Sequence, residues 1–281
     1  MAHNVLRCGR FRLALDRPLV MGVVNVTPDS FSDGGRYLER SAADARARQL
    51  ADEGADLIDI GAESSRPGAQ GISVEQELSR LMPVLAGLRD LSVPLSVDTV
   101  KPEVMLAAID AGVAMVNDIM ALRAPGALEA VAGSGVAVCL MHMQGEPRTM
   151  QREPRYGDVV AEVKAFLAAR VAAAEAAGIA RERLVIDPGF GFGKTSGHNF
   201  ELLRNLDRIA EIGPPVLAGL SRKSSLGAIA GRGSGERLAA SLAAALLAVQ
   251  HGARILRVHD VGATRDALAV LAATQAGRGK Q

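Results

Sequence analysis

The chain has 281 residues, 48% of them hydrophobic, and its 32 lysines and arginines nearly cancel 31 aspartates and glutamates, leaving a formal charge of +1. That balance excludes a partner held through bulk charge, such as DNA or an anionic membrane, and 3% aromatic content with no tryptophan leaves few platforms for stacking exposed bases. The length suits one large domain or two small ones, and a single α/β barrel takes about 250 residues.

Residues 1–18 are broken by Arg7, Arg10, Arg12 and Arg17, so they form no signal-peptide core. Within them, 5–15 reads as a hairpin turning at Cys8-Gly9 that would plug the amino-terminal mouth of a barrel. Short runs rich in Val, Ile and Leu then recur at 19–26, 57–62, 95–98, 114–119, 136–142, 184–187, 216–220 and 255–259. They are apolar throughout rather than alternating, as parallel strands buried on both faces are. Helix-like segments separate them. The segment 41–53 opens on Ser41 as a cap and stops at Gly54; 102–111 begins with Pro102 and stops at Gly112; 159–177 is alanine-rich and stops at Gly178. The longest apolar stretch, 238–249, is too short to span a bilayer and is interrupted by Ser241. Residues 277–281 read as a frayed tail.

Eight strand–helix pairs without a linker predict one α/β domain over 1–281, a single (β/α)₈ barrel of the TIM type with an N-terminal β-hairpin. A doubly wound open sheet competes, because counting strands does not distinguish the two. Cys8 and Cys139 carry no metal spacing and no disulfide framework, which suits a reducing, cytoplasmic setting.

In such a barrel the site lies at the carboxyl ends of the strands, and there nearly every apolar run ends in a polar side chain. The first gives Asn25, with Thr27, Asp29 and Ser30 beyond it; the second Glu63, Ser64, Ser65 and Arg66; the next three Asp98, Asn117 and His142. The last three give Asp187, then Ser221, Arg222 and Lys223, then Arg257 and His259. Taken singly, an Asp or Asn after a strand is more often a helix cap than a ligand contact, by about 3 to 1. Arg257 alone reads as a structural ion pair, and His259 as a satisfied core imidazole. Convergence changes the odds, since Asp, Lys, Arg and His buried together are costly unless paired or used.

Asp98, Asn117 and Asp187 suit a flat nitrogen heterocycle with amino and carbonyl edges, with Lys223 donating from above. Asn25, Arg66, Arg257 and His259 near the rim suit phosphates and a hard cation such as Mg²⁺, which keeps waters and substrate oxygens as its other ligands. Two motifs mislead. The run 189–195, GFGFGKT, invites a P-loop, but Pro188 stands where that fingerprint needs glycine, so it reads as a flexible loop. Gly231–Gly235 lacks the preceding strand of a dinucleotide turn. Met141-His142-Met143 is weak as a soft-metal signal, since Met is more often core.

Eight segments together resemble the dihydropteroate synthase family: MGVVNVTPDSFSDGG at 21–35, DIGAESSRPGA at 59–69, SVDT at 96–99, VNDI at 116–119, CLMHMQGEP at 139–147, DPGFGFGKT at 187–195, GLSRKS at 219–224 and RVHDV at 257–261. The resemblance implies a pterin subsite of Asp98, Asn117, Met141, Asp187, Gly219 and Lys223. It implies a pyrophosphate subsite of Asn25, Arg66, Arg257 and His259, with Mg²⁺ at Asn25. Asp33, Ser65, Arg66, Pro67, Phe190, Lys223 and Ser224 would shape a p-aminobenzoate pocket, with the loops 27–35 and 65–68 closing over it. Sulfonamide sensitivity and a homodimer are further expectations of the resemblance, as is catalysis resting on Asp187, Lys223, Arg257 and His259.

The implied reaction is substitution at the pterin methylene, with pyrophosphate leaving and the arylamine attacking. Three rivals remain at the level of sequence. Lys223 at a strand end also fits a Schiff-base lyase if its amine is neutral, to which Arg222 beside it would contribute. A pterin-dependent methyltransferase shares the barrel, and a non-catalytic pterin binder would share the ring contacts.

Overall fold

The computed structural model describes residues 5–26, 35–64 and 70–276, with no side chains described for 35–39, Ser234 and Ala276. Strands β1 (Val5–Cys8) and β2 (Phe11–Ala14) pair antiparallel as the predicted hairpin, but the turn falls at Gly9-Arg10 rather than Cys8-Gly9, because Cys8 pairs with Phe11. Eight parallel strands follow: β3 (Leu19–Asn25), β4 (Leu57–Gly61), β5 (Leu95–Asp98), β6 (Met115–Asp118), β7 (Ala137–Met141), β8 (Leu184–Asp187), β9 (Val216–Ala218) and β10 (Ala253–Val258). They form a closed barrel, because β10 pairs with both β9 and β3, Ile255 standing opposite Leu19. Closure removes the open sheet as an alternative. Six strands end short of the expected apolar runs: β9 two residues early, at Ala218, and β3, β4, β6, β7 and β10 one residue early.

Helices fill the crossovers: α1 (Gly35–Asp52), α2 (Val74–Gly87), α3 (Pro102–Asp110), α4 (Ala127–Ala132), α5 (Val159–Ala176), α6 (Ser196–Arg204), α7 (Leu206–Ala210), α8 (Ser224–Ala230), α9 (Leu238–Gln250) and α10 (Val261–Ala276). Gly54, Gly112 and Gly178 follow α1, α3 and α5 at positive φ, as their stop positions predicted. Ser41 is not a cap. It lies inside α1, which begins six residues earlier through good helix formers (Leu38, Glu39, Arg40), and the Arg40–Asp44 pair at 3.8 Å spans the expected start. The side-chain caps found instead are Ser73 with Gln76 on α2, Asp158 on α5 and Thr195 with His198 on α6. No helix among the described residues is long and apolar enough to cross a membrane.

Alternate strand residues serve two cores. Val20, Ile58, Val97, Val116, Val138, Ile186 and Leu256 face the helices. Leu19, Met21, Leu57, Met115, Cys139, Leu217 and Ile255 fill the barrel interior, where Leu6, Cys8 and Leu15 join them. The hairpin therefore does plug one end, with Leu6 1% exposed and Cys8 fully buried. The turn after β6 helps shape the other end. Ala121 and Leu122 are both left-handed, at φ 53° and 56°, a conformation costing about 1–3 kcal/mol per non-glycine residue. Asp118 holds it by accepting from the N–H groups of Met120 and Leu122, each at 2.7 Å. Arg170 of α5 donates to the carbonyls of Ala121 and Leu122 at 2.8 and 3.1 Å.

If the plug contributes to the barrel core, Leu6→Ala should destabilise the fold by about 2–5 kcal/mol. Urea unfolding measures this, and an unchanged midpoint would mean the hairpin is an ornament.

Candidate active site

At the carboxyl end of the barrel, five polar side chains and one glycine from five strand units surround one cavity of about 60 Å³. Asp98 ends β5, Asn117 lies in β6, Asp187 ends β8, Lys223 and Gly219 follow β9, and Arg257 lies in β10. Met141, Ile119, Phe190 and Phe192 supply its apolar walls. All six residues expected to grip a ring thus line the same cavity, together with Phe190 and Arg257. A larger cavity of about 290 Å³ lies beside it, sharing Asp98 and Ile119 and reaching Glu63, Ser64 and Arg148.

The polar groups form a connected set. The Nε of Arg257 donates to Asp59 Oδ2 at 2.6 Å, and its Nη2 donates to Asp98 Oδ2 at 2.9 Å. Asn117 Nδ2 donates to the same Asp59 oxygen at 3.1 Å. Arg257 is therefore drawn deeper than the rim position expected of it, because two carboxylates inside the barrel share its guanidinium. Asp59 is fully buried, and its other oxygen has no hydrogen-bond partner. The strand-end survey missed Asp59 because it stands in the middle of β4. A lone charge within the apolar run LIDIG was the signal available.

Burial pushes the carboxyl of Asp98 up to about 7, the neighbouring Arg257 pulling the other way and Asp59 adding to the rise. Burial likewise raises Asp187 to about 6, although the Gly189 N–H at 2.7 Å and Lys223 favour its charged form. The amine of Lys223 falls to about 8 through burial and then the charge of Arg257; its Nζ stands 4.4 Å from the centre of the Phe192 ring. Arg222, expected to assist that fall, does not. It turns outward at φ 58° and pairs with Asp260 at 2.5 Å. Burial opposes the charge on Arg257, but Asp59 and Asp98 outweigh it and hold the guanidinium firmly protonated.

Nearer the surface, the Oδ1 of Asn25 lies beside Gly61, 3.9 Å from where a Cβ there would stand. His259, just beyond β10, accepts or donates at Nδ1 with Ser221 Oγ at 3.0 Å, while its own N–H donates to that oxygen at 3.2 Å. A hydroxyl that already accepts from a backbone N–H is best used as donor to Nδ1, which leaves the proton on Nε2. Burial, then Arg222, lowers His259 to about 4, so it is a neutral hydrogen-bond donor at pH 7 rather than a cation. Ser224 is exposed at the first turn of α8, next to Lys223. Asp33, Ser65, Arg66 and Pro67 lie outside the described residues, as do Thr27, Asp29 and Ser30. His142, beyond β7, turns away from the cavity and packs edge-on against Phe166 of α5.

The segment 188–195 is not the flexible loop expected. Phe190 is 1% exposed, Lys194 is 2% exposed, and a Cβ on Gly189 or Gly193 would stand 1.9 Å or 2.5 Å from a backbone oxygen. No group of three or more His, Cys, Asp or Glu side chains among the described residues could hold a metal.

Comparison with known proteins agrees with this geometry. A family model described as pterin binding enzyme matches residues 21–259. The dihydropteroate synthase of Escherichia coli K12 is 49% identical over 263 residues, which cover 93% of each chain. The Xanthomonas albilineans dihydropteroate synthase solved with 4-aminobenzoic acid is 56% identical and superposes with a TM-score of 0.93, over 98% of this chain and 99% of that one. The same enzyme solved with 7,8-dihydropteroate is 52% identical with a TM-score of 0.87, covering 97% and 99%. By sequence over nearly its whole length, and by fold, the chain belongs to the dihydropteroate synthase family of pterin-binding enzymes.

Proposed function

We propose that this chain, acting as a single barrel domain, joins 6-hydroxymethyl-7,8-dihydropterin pyrophosphate to p-aminobenzoate, giving 7,8-dihydropteroate and pyrophosphate. The observation that carries the reading is the convergence of Asp98, Asn117, Asp187, Lys223 and Arg257 on one cavity, in a family whose members are named for this reaction. Relatives have been solved with 4-aminobenzoic acid and with 7,8-dihydropteroate.

Asp187, Asp98 and Asn117 would take the amino and ring N–H groups of the pterin, Met141 and Gly219 its faces. Lys223 would donate to its ring from the Phe192 side. Arg257 keeps N–H donors beyond the two given to Asp59 and Asp98, and these, with Nε2–H of His259 and with Arg66, would meet the pyrophosphate. Asn25 offers one hard oxygen, and among the described residues no carboxylate cluster adjoins it, which fits Mg²⁺ retaining water and substrate phosphate as its remaining ligands. When bound, the ion neutralises charge on the leaving group.

The bond from the pterin methylene to the pyrophosphate oxygen breaks, the arylamine nitrogen forms the new bond, and that nitrogen loses a proton. An electron-rich pterin spreads the developing positive charge, so the barrier falls mainly through fixed charges: Asp187 facing the ring, Arg257 and His259 facing the departing anion. Phe190, Lys223 and Ser224, with Asp33, Ser65, Arg66 and Pro67, would shape the aminobenzoate pocket, which sulfonamides would contest. The exposed apolar residues Ile229, Leu238, Leu247 and Val270 on α8, α9 and α10 support a homodimer, and the two buried free cysteines support a cytoplasmic setting.

The direct test is pyrophosphate release on mixing the pterin pyrophosphate, p-aminobenzoate and Mg²⁺. Release should require all three, and release that is indifferent to p-aminobenzoate would overturn the reading. Asp187→Asn and Arg257→Ala should each lower kcat/KM by about 10²-fold or more; losses of only a few-fold in both would make the assigned roles wrong.

Asp187 also links activity to pH. Because activity needs the carboxylate, kcat/KM should fall as pH drops through about 6. Stability runs the other way. A folded pKa raised from 3.8 to about 6 gives stability that is present below 3.8 and lost as pH rises through 6, roughly 3 kcal/mol at about 1.4 kcal/mol for each tenfold. Asp187→Asn should therefore raise Tm at pH 7.5, with the gain fading towards pH 4; a lower Tm at pH 7.5 would contradict the desolvation account.

A further inference from the structure

The ammonium of Lys194 is buried within the barrel wall and has no part in the chemistry above. The GKT tripeptide that mimics a phosphate loop uses this lysine in the opposite sense, since its hydrogens face the protein. Nζ lies 2.9 Å from His142 Nδ1, 3.0 Å from the carbonyl oxygens of Gly189 and Phe192, and 3.4 Å from that of His142. Gly189 and Phe192 bracket the turn that carries Phe190, and both phenylalanines line the ring cavity. His142 is itself fixed, its backbone N–H donating to the carbonyl of Asp187 at 2.9 Å and its ring lying edge-on to Phe166. The ammonium therefore ties the two ends of an aromatic turn to a rigid strand end.

We propose that Lys194 is a positioning residue for the aminobenzoate side of the site: loop 188–195 is wound around its ammonium, which sets where Phe190 and Phe192 meet the cavity and hence where Lys223 rests. The inference rests on the function proposed above.

Three physical points support it. An amine this deeply buried loses its charge unless acceptors surround it; burial is the largest influence bringing Lys194 down to about 7, the charge of Asp187 opposes it, and the carbonyls and imidazole are the acceptors in direct contact. His142 is pushed down to about 3 by burial and then by Lys194, so its ring is the unprotonated acceptor the arrangement requires. The rest of the loop is drawn equally tight: the Gly191 N–H donates to Asn199 Oδ1 at 2.8 Å and its carbonyl accepts from Gln151 Nε2 at 2.6 Å. With the loop pinned on both sides, the Phe192 ring sits 4.4 Å from the Lys223 ammonium.

The test uses the full chain with Lys194→Met, which keeps the length and loses the charge. KM for p-aminobenzoate should rise at least about ten-fold while kcat stays within about three-fold, since small misplacements of positioning groups carry penalties of this order. Combined with Phe192→Ala, the loss should be smaller than the product of the two single losses, because both act through the same ring. A merely structural lysine would lower the yield of folded enzyme without a substrate-specific rise in KM, and its effect would multiply with that of Phe192→Ala; either result overturns the proposal. Should Lys194→Met not accumulate folded, His142→Leu removes one acceptor and should raise the same KM by about two- to five-fold, and an unchanged KM there is equally fatal. Wild-type activity is measured first. A wild type that releases no pyrophosphate would sink the functional reading, whereas an active wild type with an unaltered Lys194→Met sinks only the positioning role.

Discussion

The carboxyl end of this barrel is organised around one guanidinium held between a fully buried carboxylate, Asp59, and a partly buried one, Asp98. Arg257 donates to Asp59 and to Asp98 from a position only 21% exposed, and Asp59 in turn orients Asn117. Placing such charges in a protein interior costs several kcal/mol per ion unless geometry and hydrogen bonds compensate. Here the compensation is incomplete, since one oxygen of Asp59 is unpartnered and Asp98 and Asp187 are held above their ordinary range. Polar capacity left unmet in a preformed cavity is what a flat, nitrogen-rich ring would fill, and its rigidity means little reorganisation on binding.

The same electrostatics divide the labour between ends of the site. The ring end combines acceptors whose charge is discouraged by burial with a lysine whose charge is also discouraged, so neither sign dominates there. At the other end His259 is neutral, and the permanent charge belongs to Arg257. Among the described residues, the leaving anion of the proposed reaction would thus meet one fixed cation, Arg257, and a directional donor, with Arg66 expected to join them, rather than a diffuse positive patch, in keeping with a chain whose total charge is almost nil.

Much of this was legible in the sequence, and the exceptions have physical causes. Parallel strands buried on both faces announce themselves as unbroken apolar runs, and the polar residues that end them fall where the barrel has its mouth. Closure was expected from eight strand–helix pairs, but strand counting left the open sheet as a competitor, and the pairing of Ile255 with Leu19 across the length of the chain decides between them. Asp59 escaped notice because a survey of strand ends overlooks a charge in mid-strand. Ser41 misled because cap preference is a local signal, and α1 had already begun. Lys194 was set aside with the motif it resembles, since whether a lysine reaches for phosphate or for its own backbone is decided by three-dimensional packing. The loops holding Asp33 and Ser65–Pro67 fall outside the described residues, while Phe190, Lys223 and Ser224 of the expected aminobenzoate pocket lie in and beside the described cavity.

The hairpin that fills the amino-terminal end with Leu6, Cys8 and Leu15 has a bearing on traffic. With the floor stoppered by hydrocarbon, every molecule that enters the barrel must use the same doorway to depart.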